Sequence, residues 1–110
     1  MKTIIALGSN INQEENISKA QTLLKQCFEG VKFSKPQWTE AIGIESDKFL
    51  NCIGTFETEW TLYQVKQCLK EIEQTMGDSH ENHKKGKVLI DIDLAQYGEK
   101  IVKEIIWLQE

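Results

Sequence analysis

The run Val88-Leu89-Ile90-Asp91-Ile92-Asp93-Leu94 constrains this chain more than any other stretch. Its β-branched and aliphatic residues read as a strand. Strand alternation puts Asp91 and Asp93 on one face and Ile90, Ile92 and Leu94 on the other. One face therefore belongs to a core, while the other carries two acids with no basic residue between them. A bound divalent cation relieves such repulsion, and oxygen-only ligands favour Mg²⁺ over zinc or copper. Mg²⁺ held by one or two carboxylates ordinarily brings substrate phosphates with it. The plain alternative is a solvated strand face with two ordinary aspartates.

The other elements follow from local signals. Thr3 to Leu7 is a short apolar run closed by the turn residues Gly8-Ser9-Asn10, and reads as a buried first strand. Asn12 with Glu15 three residues on predicts a helix cap, and Ile17, Ala20, Leu23, Leu24, Cys27 and Phe28 recur at helical spacing up to Gly30. Val31 and Phe33 predict a second strand running towards Trp38, which Pro36 confines to an edge or a bulge. Thr39 to Lys48 lacks a period and reads as a loop. Phe49 to Thr58 alternates as a strand.

Thr61-Leu62-Tyr63-Gln64 is a capping box, opening a helix with Leu62, Val65, Leu69, Ile72 and Met76 along one side, ended by Gly77. Asp78 to Lys87 reads as a long, mobile polar loop with His80 and His83 solvated. The acid-bearing strand spans Val88 to Tyr97, and Gly98-Glu99-Lys100 turns into apolar Ile101 to Leu108. This order predicts one α+β domain over residues 1–110. It is a ferredoxin-like βαββαβ antiparallel sheet with two helices on one face and a short C-terminal extension. The other face is left for ligands.

The formal charge of -4 and the pI of about 5.2 argue against a general binder of nucleic acid or anionic membranes. The charge is uneven, with His83, Lys84, Lys85 and Lys87 clustered just before the acid pair. Cys27, Cys52 and Cys68 are far apart in apolar patterns, which predicts buried free thiols in a reducing cytoplasm, without disulfide or zinc. The start of the chain is too short for a signal-peptide core, and no apolar run approaches the roughly 20 residues of a membrane span. The expectation is a cytoplasmic protein, monomeric or weakly dimeric, with Ile101 to Leu108 as the segment available for edge pairing.

Five pieces fall in order along the chain: Ala6-Leu7-Gly8-Ser9-Asn10, Thr39-Glu40-Ala41-Ile42-Gly43, Phe49-Leu50-Asn51, Ile72-Glu73 and Asp91-Ile92-Asp93. In sequence and spacing the chain resembles the 6-hydroxymethyl-7,8-dihydropterin pyrophosphokinases of folate biosynthesis. The resemblance implies transfer of the β,γ-pyrophosphoryl group of ATP to the pterin hydroxymethyl oxygen, releasing AMP. It implies two Mg²⁺ ions held by Asp91 and Asp93; Lys87, where the family pattern breaks, is the candidate catalytic cation standing in beside them. The pterin would be held by Thr39, the backbone at Ile42 and Asn51, with Phe49 stacked on its ring. Lys70, Glu73, Lys85 and Leu94 would face the nucleotide. Each also has a plain structural reading, such as core for Phe49 or an exposed helix acid for Glu73.

The chain departs from the family pattern at Gly86-Lys87-Val88, where Lys87 replaces a proline and Val88 an arginine. It contains no arginine at all, and its 13 basic residues are all lysines. Lysine lacks the guanidinium fork that grips phosphate, so Lys87 or Lys85 would act as a point charge. Family members also continue beyond the position of Leu108 with a second aromatic, for which Trp107 is the candidate here. The expectation is weakened binding and turnover. The alternative is a catalytically weak or inactive relative serving as a pterin, nucleotide or interaction domain.

Overall fold

The computed structural model describes residues 1–40 and 47–105, without the side chain of His80. The central strand is β1 (Lys2–Ser9). It is flanked by β4 (Phe49–Glu57) and β5 (Asp91–Tyr97), both antiparallel to it. Short strands β2 (Lys32–Phe33) and β3 (Gln37–Thr39) pair with the outer edge of β4, and β6 (Lys100–Ile101) pairs with β5. The sheet order is β2-β4-β1-β5-β6, with β3 beside β2 on β4. The helices are α1 (Gln13–Cys27), α2 (Leu62–Thr75) and α3 (His80–Lys84).

Alternation sorts the two faces of the sheet. Ile5 and Leu7 of β1, Leu50, Cys52 and Phe56 of β4, and Ile92 and Leu94 of β5 form one core with α1 and α2. The helices contribute Ile17, Ala20 and Leu24, and Val65, Leu69 and Ile72. Burying such side chains contributes about 1.5–3 kcal/mol each. The capping box forms as expected: Thr61 Oγ1 accepts from Gln64 N at 3.1 Å, and Gln64 Oε1 accepts from Thr61 N at 2.9 Å.

Four local expectations are corrected. Asn12 does not cap α1 with its side chain. It is in the left-handed region at φ 43, and the first turn is stitched from the other direction. Gln13 Nε2 donates to the Asn10 carbonyl at 3.2 Å and Asn16 Nδ2 to the Ile11 carbonyl at 2.7 Å. The second strand is two pieces, because Pro36 has no N–H to give the ladder. Only Cys52 is a fully buried thiol; Cys27 and Cys68 are half-buried. All three are free.

The fourth correction concerns residues 78–90, which are not a long open loop. Ser79 Oγ accepts from Asn82 N at 3.1 Å and caps α3, too short a helix to show a period in the sequence. The acid-bearing strand starts at Asp91 rather than Val88, because the preceding N–H groups are taken by side chains. Asn10 Oδ1 accepts from Val88 N at 2.6 Å. Asp78 Oδ1 accepts from Leu89 N at 3.1 Å and Ile90 N at 3.2 Å. Asp78 Oδ2 also lies 2.7 Å from His83 Nε2, so that ring is partnered rather than merely solvated. Among the described residues, no helix is long and apolar enough to cross a membrane.

Candidate active site

The site is built on the sheet face away from α1 and α2. Register places Gly8 opposite Asn51 on one side and opposite Asp91 on the other. Residues directly opposite in a ladder share a face, so Asn51, Gly8 and Asp91 form one row across β4, β1 and β5. The next row is Ile53, Ala6 and Asp93. Small residues at 6 and 8 keep the central strand low between a polar cluster on β4 and the acids on β5.

On the β4 side, Asn51 is buried, and its Nδ2 donates to Thr39 Oγ1 at 2.7 Å. Thr39 sits opposite Phe49 on β3, and Phe49 is half-buried at the start of β4. A Cβ at Gly8 would lie 2.9 Å from Asn51 Oδ1 and 3.6 Å from Phe49 Cδ2. Glycine therefore makes room for the Asn51 amide. The sheet thus brings together three of the four residues expected to hold a planar heterocycle: Thr39, Phe49 and Asn51. The fourth, Ile42, lies outside the described residues, as does Trp107.

On the β5 side, Asp91 and Asp93 are both half-buried on one face, with Ile92 buried between them. Asp91 is pushed up to about 7 by burial, then by the charge and hydrogen bond of Asp93 and the charge of Glu73, with Lys103 opposing. The repulsion foreseen from the sequence is present. Its partial relief comes from Lys103, whose Nζ lies 3.0 Å from Asp93 Oδ2. Burial alone would lower the Lys103 ammonium, but its bond to Asp93 and the charges of Asp93, Asp91 and Glu73 outweigh that and raise it.

Glu73 is not a free surface acid. Its Oε2 accepts from Ile92 N at 2.7 Å, on the edge of β5 that β6 does not reach. Burial pushes its carboxyl up. The Ile92 bond opposes this, the Asp78 and Asp93 charges add to it, and His83 offsets it. Glu73 also lines a cleft of about 450 Å³ with Lys70, Gln74, Asp78, Ser79 and His83. Lys70 and Glu73 thus line the same cleft.

Lys85 and Lys87 are exposed on the segment leading into β5. Their backbone N–H groups both donate to the Asn82 carbonyl, at 3.0 and 2.9 Å. Leu94 is different. Alternation sends its side chain into the core, which leaves only its backbone for a ligand.

The donor set fits Mg²⁺: two carboxylates, no sulfur or nitrogen ligand beside them, and an open face for phosphate and water. Among the described residues, no group of three His, Cys, Asp or Glu side chains could hold a metal by itself. Substrate oxygens would therefore have to complete the coordination.

Comparison with known proteins identifies one family. A family profile described as 7,8-dihydro-6-hydroxymethylpterin-pyrophosphokinase (HPPK) matches residues 4–109. This chain belongs to the HPPK family. It is also 30% identical over 107 residues to a protein of Arabidopsis thaliana described as "Folate synthesis bifunctional protein". The match covers 94% of this chain and 22% of that protein, so the chain spans about a fifth of the relative's length.

Two features of this HPPK chain were missed from sequence. Asn10 looked like a turn residue but clamps the segment before β5. Its Nδ2 donates to the Gly86 carbonyl at 2.8 Å, in addition to its bonds with Val88. Lys103 fell in a segment read only as apolar, and no local signal marked it as a partner for Asp93.

Proposed function

We propose that this HPPK chain transfers pyrophosphate from ATP to the hydroxymethyl group of 6-hydroxymethyl-7,8-dihydropterin, in folate biosynthesis. The observation that carries the reading is the row Asn51–Gly8–Asp91, which spans from the Asn51–Thr39 pair to a pair of acids on one sheet face. The order β2-β4-β1-β5 and the antiparallel pairing support a ferredoxin-like scaffold, with the helices on one face and the substrates on the other.

In this reading Asn51 supplies a donor and an acceptor to the pterin edge, and Thr39 fixes the orientation of its amide. Phe49 covers the ring face. The hydroxymethyl oxygen gives up its proton to solvent and forms a bond to the β-phosphorus of ATP, the bond from that phosphorus to the α,β-bridging oxygen breaks, and AMP leaves. Asp91 and Asp93 would hold Mg²⁺, which would stabilise the negative charge of the transferring group. Glu73 and Lys70 border the nucleotide, and Lys87 and Lys85 provide positive charge near the phosphates. Positioning does the rest, because this chemistry needs little covalent participation from the protein.

The test is formation of AMP from ATP, Mg²⁺ and the dihydropterin, by the parent chain and by Asp91→Ala and Asp93→Ala. The parent is expected to form AMP, with both variants reduced to background. Folded parent protein that forms none would refute the reading and favour a binding role.

A further inference from the structure

A chain without arginine must still neutralise a triphosphate, and the structure places one cation directly at the acid pair. Lys103 follows β6, a strand of only two residues. Its position is set by an irregularity in β5: register runs Ile5↔Leu94 and then Ile4↔Gln96, leaving Ala95 as the extra residue of a bulge. The Ala95 carbonyl accepts from both Val102 N at 2.9 Å and Lys103 N at 3.2 Å. The bulge thereby pulls the returning chain back over β5, two residues past Asp93. From that anchor the Lys103 side chain reaches Asp93 Oδ2 at 3.0 Å while staying 58% exposed. Its backbone is held by the Ala95 carbonyl, and its ammonium rests on Asp93. Among the described residues it is the only lysine in an ion pair with either strand acid.

We propose that Lys103 is a phosphate-binding residue that rests on Asp93 until Mg²⁺ and a triphosphate arrive. The inference rests on the pyrophosphokinase reading and deepens it. Before ligands bind, the ammonium offsets part of the repulsion between Asp91 and Asp93. Asp93 would exchange the ammonium for a divalent cation when one binds, which would free Lys103. The flexible stem then carries the freed ammonium to the phosphates that the cation brings, supplying charge that an arginine would otherwise provide. Lys103 also borders a cavity of about 340 Å³ with Ile4, Ile53, Gln96 and Ile101, so it has room to leave Asp93.

The test compares the parent with Lys103→Met and Lys103→Arg. Mn²⁺ alone is titrated and read by electron paramagnetic resonance. Mg²⁺ with the non-hydrolysable α,β-methylene analogue of ATP is titrated by calorimetry. Losing the resting ion pair should tighten Mn²⁺ binding to Lys103→Met by about threefold, since a half-exposed pair is a weak competitor. The same variant should bind the Mg²⁺–nucleotide about tenfold more weakly, and Lys103→Arg should restore it.

Nucleotide affinity unchanged in Lys103→Met would overturn the proposal, as would Mn²⁺ binding that weakens or stays the same. Both arms are independent of turnover. These shifts in Lys103→Met, together with a parent protein that forms no AMP, would instead sink the reaction while leaving the role of Lys103 intact.

Discussion

Asn10 and Val88 exchange two hydrogen bonds across 78 residues of sequence: Asn10 N donates to the Val88 carbonyl at 2.9 Å, and Val88 N donates to Asn10 Oδ1 at 2.6 Å. The pair joins the end of β1 to the segment entering β5, and so sets where Asp91 begins relative to Gly8. Replacing Asn10 with alanine strands a buried N–H and frees the Gly86 carbonyl. Asn10→Ala should cost about 2–4 kcal/mol of unfolding free energy, read from urea denaturation. Amide exchange at residues 86–90 should rise before that of the core strands. A cost under about 0.5 kcal/mol would contradict the clamp.

Gly8 tests the pocket. Its substitution by alanine puts a methyl 2.9 Å from Asn51 Oδ1, and Asn51 is tied to Thr39. Gly8→Ala should weaken dihydropterin binding by at least about tenfold, with a loss of about 1–2 kcal/mol in stability. Calorimetry with the pterin alone distinguishes this from damage to the nucleotide side, where Mg²⁺–nucleotide affinity should hold within about threefold.

Asp91 predicts a pH dependence with a definite sign. Its carboxyl is raised in the folded protein from an ordinary 3.8 to about 7, so the folded state holds a proton that the unfolded chain releases between those values. The stability it contributes is full below pH 3.8 and is lost as pH rises to about 7. Asp91→Asn should therefore stabilise the ligand-free protein at pH 8 by about 1–2 kcal/mol, a figure reduced because the group is only half-buried. At pH 3.5 the difference should vanish. Equal gains at both pH values, measured by denaturant titration, would mean that charge is not the cause.

Glu73 separates a structural role from an electrostatic one. Glu73→Ala leaves Ile92 N without its acceptor and should cost about 1–3 kcal/mol. Glu73→Gln keeps an acceptor oxygen and removes a charge from beside Asp91 and Asp93. It should be near neutral below pH 4.5, the ordinary value, and stabilising at pH 8, because the raised carboxyl is protonated more readily in the folded state. If Gln and Ala are equally destabilising at both pH values, the Ile92 bond is not what Glu73 supplies.

Thr61 is a control far from the site. Thr61→Ala removes the capping bond to Gln64 N and should cost about 1 kcal/mol. The transfer rate per folded molecule should not change, which an AMP assay on the purified variant would check.

Some of this was legible in the chain because it depends on neighbours in sequence. Alternation in β4 and β5 fixed which residues face the core. The Thr61 box fixed the start of α2, and resemblance to one family singled out Thr39, Phe49, Asn51 and the two aspartates as the candidate site. Asn12 failed as a cap because its backbone is left-handed, which composition does not reveal. Residues 78–90 failed because their order comes from Asn10 and Asp78, whose role depends on side-chain bonds rather than on any period.

The sequence by itself determined the two-sided character of the strands, the helix stripes and the identity of the acids. Those follow from local geometry repeating every two or 3.6 residues. Only the tertiary structure decided that Asn51 and Asp91 meet across Gly8, that Glu73 closes the edge of β5, and that Lys103 rests on Asp93. Each of these depends on strand register, on a bulge at Ala95, or on a hydrogen bond between distant elements. Such contacts are fixed when the sheet assembles around β1, and no local pattern encodes them.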